Sequence, residues 1–265
     1  MICVTARIVA GISSIFSFSD KDLDKEFIEA NRLVMNEPKG GGMWLWKPYL
    51  ILKTLNEIEY GDYLLYCDCS AIFVRRAKEI VNEAIDLNQS IIAYELPLLE
   101  KQWTDDETLE KYGFLGAGET NQLSASYILI KKDKSSLDFV SEWLNICSTS
   151  FLSLPDEFDF PCISHRYDQS VFSLLYKRQH YIPCVDISQY GAQPELYSQS
   201  NIKGLNVKLR HLYTFKNKLK FRVNGIRKFP FIILYRKGSV LRYFLSYLKH
   251  LVRGLFEKKR CNKYN

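Results

Sequence analysis

The sequence lacks the long apolar segments of proteins that cross or enter a membrane. It has no apolar run of about 18 residues, the length that a membrane-spanning helix needs. It does not open with a basic segment followed by an apolar one, as a secretory signal does. Its 265 residues are 47% hydrophobic and 25% charged, a globular composition that can bury a full core. We therefore expect a cytoplasmic protein that is soluble or peripheral to a membrane.

Cysteines with the spacing of metal-binding or redox motifs are also missing. The chain has seven cysteines, an odd number, and no C-x-x-C motif, and three of them lie within or beside apolar runs. Free thiols in such surroundings behave as small hydrophobic side chains. This pattern argues against a cysteine-based zinc site and a disulfide framework, and it indicates a reducing compartment.

Acidic residues are nearly absent from the last part of the chain. From Lys203 onward there are 18 Lys and Arg and one acid, Glu257, a net charge of +17, whereas residues 1–202 have a net charge of −11. Val240–Leu255 has the spacing of a basic amphipathic helix. We divide the chain into a body, 1–214, and a basic tail, 215–265. The tail either contacts an anionic membrane surface or forms an ordinary solvated helix on the body.

Residues 40–73 are the most informative stretch of the sequence. Pro48 suits the first turn of a helix, and the apolar spacing after it predicts a helix over Pro48–Ile58. Lys47 stands just before this helix, where the helix dipole favours anions. We therefore expect Lys47 to have an anionic partner, either a diphosphate or a buried carboxylate.

The Gly-Gly-Gly segment that precedes Lys47 is followed by two tryptophans. The glycines 40–42 are either a flexible connector or a place where the backbone approaches a ligand closely, and their spacing is not that of a P-loop. Trp44 and Trp46 lie on the same side if the segment is extended. Each of them either packs in the core or lines a cleft.

The apolar run Tyr63–Cys67 predicts a buried strand that ends on Asp68, and we expect this strand to be parallel to its neighbours. In open α/β sheets ligands bind beyond the carboxyl ends of the strands, so Asp68 either faces a cleft or caps a following helix. The metal motif Asp-x-Asp is incomplete because Ser70 occupies the second position. One carboxylate with waters and phosphate oxygens can still hold Mg²⁺ or Mn²⁺.

A second polar cluster, His165, Asp168 and Gln169, lies at the predicted start of a helix. Asp168 is either a first-turn acid that stabilises the helix or a group that holds sugar hydroxyls and acts as a base. His165 is a second candidate base, and histidines are as often structural hydrogen-bonding residues.

Periodicity outside these blocks predicts further elements of the body. We expect a strand over Ile12–Phe18, an amphipathic helix over Lys21–Met35, and a helix capped by Thr104 with Glu107 three residues later.

The segments WLWKPYLILKTL, YGDYLLYCDCS and HRYDQSVFSLL together resemble a family of bacterial GT-A-type glycosyltransferases of capsule and lipopolysaccharide assembly. The resemblance covers Phe16–Tyr181. It implies transfer of a sugar from a nucleotide donor to a glycan or lipid-linked acceptor, often with a divalent cation. The basic tail adds the expectation that the protein is peripheral on the inner face of the membrane. It also implies a single Rossmann-like α/β domain with a mixed, mostly parallel central sheet flanked by helices, with the first strand short or missing here.

The resemblance also suggests roles for individual residues. Gln122 becomes a candidate sugar contact, although a solvated loop position fits it as well, and His211 becomes a candidate metal ligand beside Asp68. The full assignment gives catalysis to Asp168, Gln169 and His165, and donor binding to Trp44, Trp46, Lys47, Asp68, Ser70 and Gln122. The alternative is a non-catalytic α/β scaffold whose basic tail binds an anionic membrane or nucleic acid.

Overall fold

The computed structural model describes residues 1–112, 118–150, 162, 164–192 and 230–234. The helices are α1 (Ile2–Thr5), which continues as a π-helical stretch (Ala6–Ala10), a 3₁₀ turn (Asp20–Asp22), α2 (Lys25–Ala30), α3 (Arg32–Met35), α4 (Gly40–Met43), α5 (Trp46–Glu57), α6 (Lys78–Leu87), α7 (Glu100–Trp103), α8 (Asp106–Lys111), α9 (Lys134–Ser150), α10 (Asp168–Arg178) and α11 (Gln189–Ala192). The strands are β1 (Tyr63–Cys67), β2 (Ala71–Phe73), β3 (Ile91–Ile92), β4 (Tyr94–Leu99), β5 (Asn121–Leu123), β6 (Tyr127–Lys131), β7 (Cys184–Val185) and β8 (Ile232–Leu234).

The described strands form a mixed α/β structure in which antiparallel pairing dominates. β6 lies between β1 and β3 and is antiparallel to both, β2 is antiparallel to β8, and β4 is antiparallel to β5 and parallel to β7. The expectation of a mostly parallel central sheet is therefore wrong for these strands, and so is the parallel direction expected for β1. A continuous apolar run indicates that a strand is buried, and it carries no information about strand direction.

The sheet around β6 is covered on both faces. Ile128 and Ile130 contact a core that includes Trp143 of α9 and Phe172 of α10. The alternate residues of β6, which include Leu129, contact a second core on the opposite face. Burial on both faces explains why β6 is an apolar run without alternation of polar residues. The residues of β1 are only partly buried, so the buried strand predicted there is less enclosed than expected.

The N-terminal elements differ from the sequence prediction. Residues 12–18 are not a strand, and the helix expected over Lys21–Met35 is divided into the 3₁₀ turn, α2 and α3. Ser19 caps the 3₁₀ turn through a capping box with Asp22. The helical chain is interrupted first at Leu23, whose backbone is extended, and again at Asn31.

Local starts and ends of elements were predicted to within a few residues. The helix expected from Pro48 begins two residues earlier, at Trp46, and β1 has the predicted bounds. The helix expected after Thr104 is capped instead by Asp105, whose carboxylate accepts a hydrogen bond of 2.9 Å from the backbone N–H of Thr108.

A short segment of the predicted basic tail belongs to the folded body. β8 pairs with β2, and Phe231 and Ile232 are buried in the second core. The amphipathic helix expected over Val240–Leu255 and the candidate ligand His211 lie outside the described residues. In the part of the chain that the structure describes, no helix has the length and apolar character needed to span a membrane.

Candidate active site

The centre of the candidate site is a buried ion pair between two helix starts. Lys47 lies in the first turn of α5 and Asp168 is the first residue of α10, and Lys47 Nζ is 2.7 Å from Asp168 Oδ2. The two residues are only 4% and 3% exposed. Trp143 Nε1 donates a hydrogen bond of 2.9 Å to the backbone carbonyl of Asp168 and so fixes the start of α10. Of the two partners expected for Lys47, the structure supplies the buried carboxylate.

Asp68 is the third charge of the site and the one that reaches solvent. It follows the last residue of β1, and its Oδ1 atom is 3.9 Å from Lys47 Nζ. Tyr66 donates a hydrogen bond of 2.7 Å from its hydroxyl group to the same oxygen. The Asp68 side chain is 31% exposed, whereas those of Lys47 and Asp168 are almost fully enclosed. Lys47 and Asp68, both assigned to donor binding from the sequence, lie together in the structure, and their contact with a donor stays a prediction.

The charges of these three residues leave the site with an excess of negative charge. Burial, with a smaller contribution from the nearby Asp68, raises the pKa of Asp168 to about 6 against the opposing charge of Lys47. Burial alone would lower the pKa of Lys47, but the two carboxylates outweigh it and the pKa is raised. At neutral pH one ammonium therefore faces two carboxylates. The net negative charge attracts a cation to the solvent-exposed side of the site, where Asp68 lies.

Two strained aromatic residues lie beside the ion pair. Residues 40–44 all have positive φ, including the non-glycine Trp44 at 61°, and Tyr167, which precedes Asp168, has φ of 45°. Their rings are 5.9 Å apart, and Lys39 Nζ lies 4.6 Å from the centroid of the Tyr167 ring. Such conformations cost about 1–3 kcal/mol each and persist where the surroundings enforce them. The strain lies at the starts of the two helices that carry Lys47 and Asp168.

The left-handed turn is held by its own side chains. The sequence prediction assumed an extended segment at Trp44 and Trp46. The positive φ values of residues 40–44 show a left-handed turn there instead. Trp46 Nε1 donates a hydrogen bond of 2.9 Å to the Gly40 carbonyl. A Cβ atom at Gly40 would overlap the ring of Trp44, so the glycine is required by space as well as by its positive φ. Both tryptophans are partly exposed, and their contact with a donor stays a prediction.

Gln122 and Gln169 belong to a buried polar network. Gln169 Nε2 donates a 2.8 Å hydrogen bond to Gln122 Oε1, and Gln169 Oε1 accepts one of 3.2 Å from the backbone N–H of Ala125. Gln122 Nε2 donates in turn to Glu100 Oε1 at 3.0 Å. Gln122 has no exposed surface. The structure therefore gives Gln122 a role in holding Gln169, next to Asp168, and its contact with a sugar stays a prediction.

Glu100, which the sequence analysis did not select, is the charged end of this network. It is fully buried and forms an ion pair with Lys177. Its carboxylate also accepts hydrogen bonds from Ser173 Oγ at 2.6 Å and Thr104 Oγ1 at 2.7 Å. The network thus connects α7 to α10, the helix that begins with Asp168.

Replacing Glu100 with glutamine is expected to lower the free energy of unfolding by about 2 kcal/mol, because Lys177 loses its charged partner inside the protein. Denaturant unfolding measures this loss. Glu142→Gln is the matched control. Glu142 pairs at the surface with Arg178, which lies next to Lys177 in α10, so this variant should lose much less unfolding free energy. Equal losses in the two variants would show that the buried network contributes no more than a surface pair.

His165 is occupied by a structural contact in this structure. Its Nδ1 atom lies 2.6 Å from Asp105 Oδ2, and the residue is 2% exposed. Burial acts to raise the pKa of Asp105, but hydrogen bonds from His165 and Thr108 outweigh it and lower the pKa to about 2. The pair links Asp105, the cap of α8, to the segment before α10. A role of His165 as a base stays a prediction.

The open side of the site suits a divalent cation that shares its ligands with a bound molecule. Ser70 lies two residues after Asp68 in the turn that follows β1 and is partly buried. Within the described residues, no group of three or more His, Cys, Asp or Glu side chains could hold a metal ion. Mg²⁺ and Mn²⁺ are often held by one or two carboxylates, with phosphate oxygens and waters as the other ligands. Asp68 fits this arrangement, and Ser70 is close in sequence.

Comparisons with known proteins add little to what the structure shows. No protein-family model matches the chain, and no curated protein matches it. Among solved structures, the crystal structure of mouse xyloside xylosyltransferase 1 in its apo form is similar to the chain, with 11% identity and a TM-score of 0.46. The match covers 80% of this chain and 70% of that one. A similarity of this degree carries no argument about function, which must come from the residues of the site.

Proposed function

We propose that the chain is a glycosyltransferase that moves a sugar from a nucleotide donor to a glycan or lipid-linked acceptor in surface polysaccharide assembly. The observation that carries the proposal is the meeting of Lys47, Asp68 and Asp168. One of these residues comes from each of the three sequence segments on which the resemblance to bacterial glycosyltransferases depends. The setting proposed for this reaction is the cytoplasmic face of a membrane, which the basic tail contacts.

The chemistry of the transfer is mainly the stabilisation of a leaving nucleoside diphosphate, which gains negative charge as the sugar departs. A Mg²⁺ or Mn²⁺ ion held by Asp68 would supply positive charge to that diphosphate. Asp68 is kept in place by the Tyr66 hydroxyl group and by Lys47. Asp168 in turn holds the ammonium group of Lys47 next to the exposed carboxylate of Asp68.

The proposed acceptor side involves the start of α10. Asp168 can act as a base only if Lys47 releases it, because the ion pair occupies its Oδ2 atom in this structure. Gln169 is adjacent, partly buried, and held by Gln122. Trp44, which is partly exposed, offers aromatic surface near the same helix start and packs against the buried Tyr167. These positions support roles in orienting the reacting sugars.

A panel of nucleotide sugars tests the proposal through thermal stability. A donor present at about 100 times its Kd stabilises the folded state by about 2.7 kcal/mol, which should raise Tm by about 5 °C or more. We expect such a shift for one donor and expect it to be larger with Mn²⁺. Asp68→Asn should remove the effect of Mn²⁺, and Asp138→Asn, at an exposed i,i+4 pair, should leave it intact. If no nucleotide sugar stabilises the protein with or without the ion, the scaffold alternative gains and the transferase proposal is lost.

A further inference from the structure

The first helical segment, α1 with its continuation to Ala10, is apolar on two opposite sides. Ala6 and Ala10 are buried in the core that also contains Phe231 and Ile232 of the β8 region. Met1, Val4 and Ile8 recur at helical spacing on the other side, and they are 65%, 58% and 70% exposed. We call these three exposed side chains the N-terminal apolar stripe.

Such a helix is unusual at a surface that contacts only water. A single exposed apolar side chain is ordinary, but three at helical spacing, on the side opposite a buried face, are more than a helix in water usually exposes. The charge around the stripe points to lipid. Residues 1–19 contain no acidic residue and one basic residue, Arg7, which is exposed. Arg76 adds positive charge nearby, because its guanidinium group packs against Gly11 at the end of the segment.

Leu234, the last described residue before the basic sequence, is linked to the helix of this stripe through β2 and β8. Thr5 Oγ1 accepts a hydrogen bond of 3.1 Å from the backbone N–H of Phe73 in β2, and β2 pairs directly with β8. After Leu234, where β8 ends, the remaining sequence has nine Lys and Arg and one acid. The stripe and the start of this basic sequence are therefore attached to the same pair of strands. Surfaces that bind anionic membranes typically combine exposed apolar side chains with basic residues.

We propose that the N-terminal apolar stripe inserts into the interface of an anionic lipid bilayer, with Arg7 contacting the headgroups. A second copy of the chain is a poorer occupant, because it would bring an equal positive charge against the first. The stripe is separate from Lys47, Asp68 and Asp168, and its binding to lipid is independent of the proposed transferase reaction.

Vesicle sedimentation of the full chain tests this inference. Wild-type protein should sediment with vesicles of phosphatidylcholine and phosphatidylglycerol and much less with phosphatidylcholine alone. The double variant Val4→Asn/Ile8→Asn should partition into the anionic vesicles about tenfold more weakly, because two apolar side chains no longer leave water. Thermal unfolding of the variant should match wild type, since both side chains are exposed.

A matched control replaces two exposed apolar side chains elsewhere on the protein. Ile85 and Ile182 are 59% and 60% exposed on other parts of the body, so Ile85→Asn/Ile182→Asn should bind vesicles as wild type does. The inference is overturned if the stripe variant binds as well as wild type, if the control loses as much, or if wild type binds neither vesicle. Light scattering could instead show that wild type is a dimer and that the stripe variant is a monomer. The stripe would then bind a second copy of the chain, and the inference of lipid binding would be overturned.

Discussion

Lys47→Met is expected to lower the free energy of unfolding by about 3–5 kcal/mol. The substitution keeps most of the volume of the side chain and removes the ammonium group that neutralises Asp168. A carboxylate that is 3% exposed is then left without its cation, which is the costly way to break a buried pair. Denaturant unfolding at neutral pH measures the loss.

The pH dependence of this variant follows from the position of Asp168. Burial raises the pKa of Asp168 from 3.8 to about 6 in the folded protein, so the folded state binds more protons than the unfolded state between these values. The contribution of Asp168 to stability therefore falls as the pH rises through this window. Removing Lys47 should raise the pKa of Asp168 further. The stability difference between wild type and Lys47→Met should accordingly be larger at pH 7 than at pH 5.

Two further variants separate the buried charge from other effects of the substitution. Lys47→Met/Asp168→Asn removes both charges and should recover a large part of the lost stability, as a double-mutant cycle would show. Lys53→Met removes a lysine of the same helix whose ion pair with Asp24 is at the surface, and its effect should be much smaller. A double variant no more stable than Lys47→Met would contradict the buried pair as the cause.

The part of the site that could be predicted from sequence depends on local patterns. Pro48 and the apolar spacing after it determine where α5 begins, and the run Tyr63–Cys67 determines where β1 ends. These two boundaries are enough to place Lys47 and Asp68 at ends of neighbouring elements. Asp168 was recognised in the same way, from its position at the start of a helix.

The parts that were missed depend on pairing between distant residues. The direction of β1 is set by β6, whose Lys131 lies opposite Tyr63, and nothing in the five residues of β1 specifies that partner. Glu100 looks like a solvated acid at the end of a strand, because its partner Lys177 is 77 residues away. The positive φ of Trp44 was also not predictable. Glycines 40–42 are compatible with a left-handed turn, but nothing in the sequence shows that the turn continues to a tryptophan.

Asp68→Asn is expected to reduce sugar transfer by at least about 10²-fold with little effect on folding. The reason is electrostatic: the carboxylate that reaches solvent is the one that can hold a cation against the leaving diphosphate, and an amide of the same shape cannot supply the charge. Stability should change little, because the side chain is 31% exposed and Lys47 keeps Asp168 as its partner. Initial rates with the donor found by thermal shift measure the effect, and the loss should appear in kcat at saturating donor.

Asp138→Asn is the control for this loss, since it removes a carboxylate of similar type from an exposed i,i+4 pair with Lys134 and should leave the rate unchanged. Tm of both variants should remain close to that of wild type. Full turnover by Asp68→Asn would remove Asp68 from the mechanism, because the proposed role depends on the charge of this one exposed carboxylate and Asp168 is almost fully enclosed. An equal loss of rate in both variants would instead show that the effect is a general response to lost surface charge.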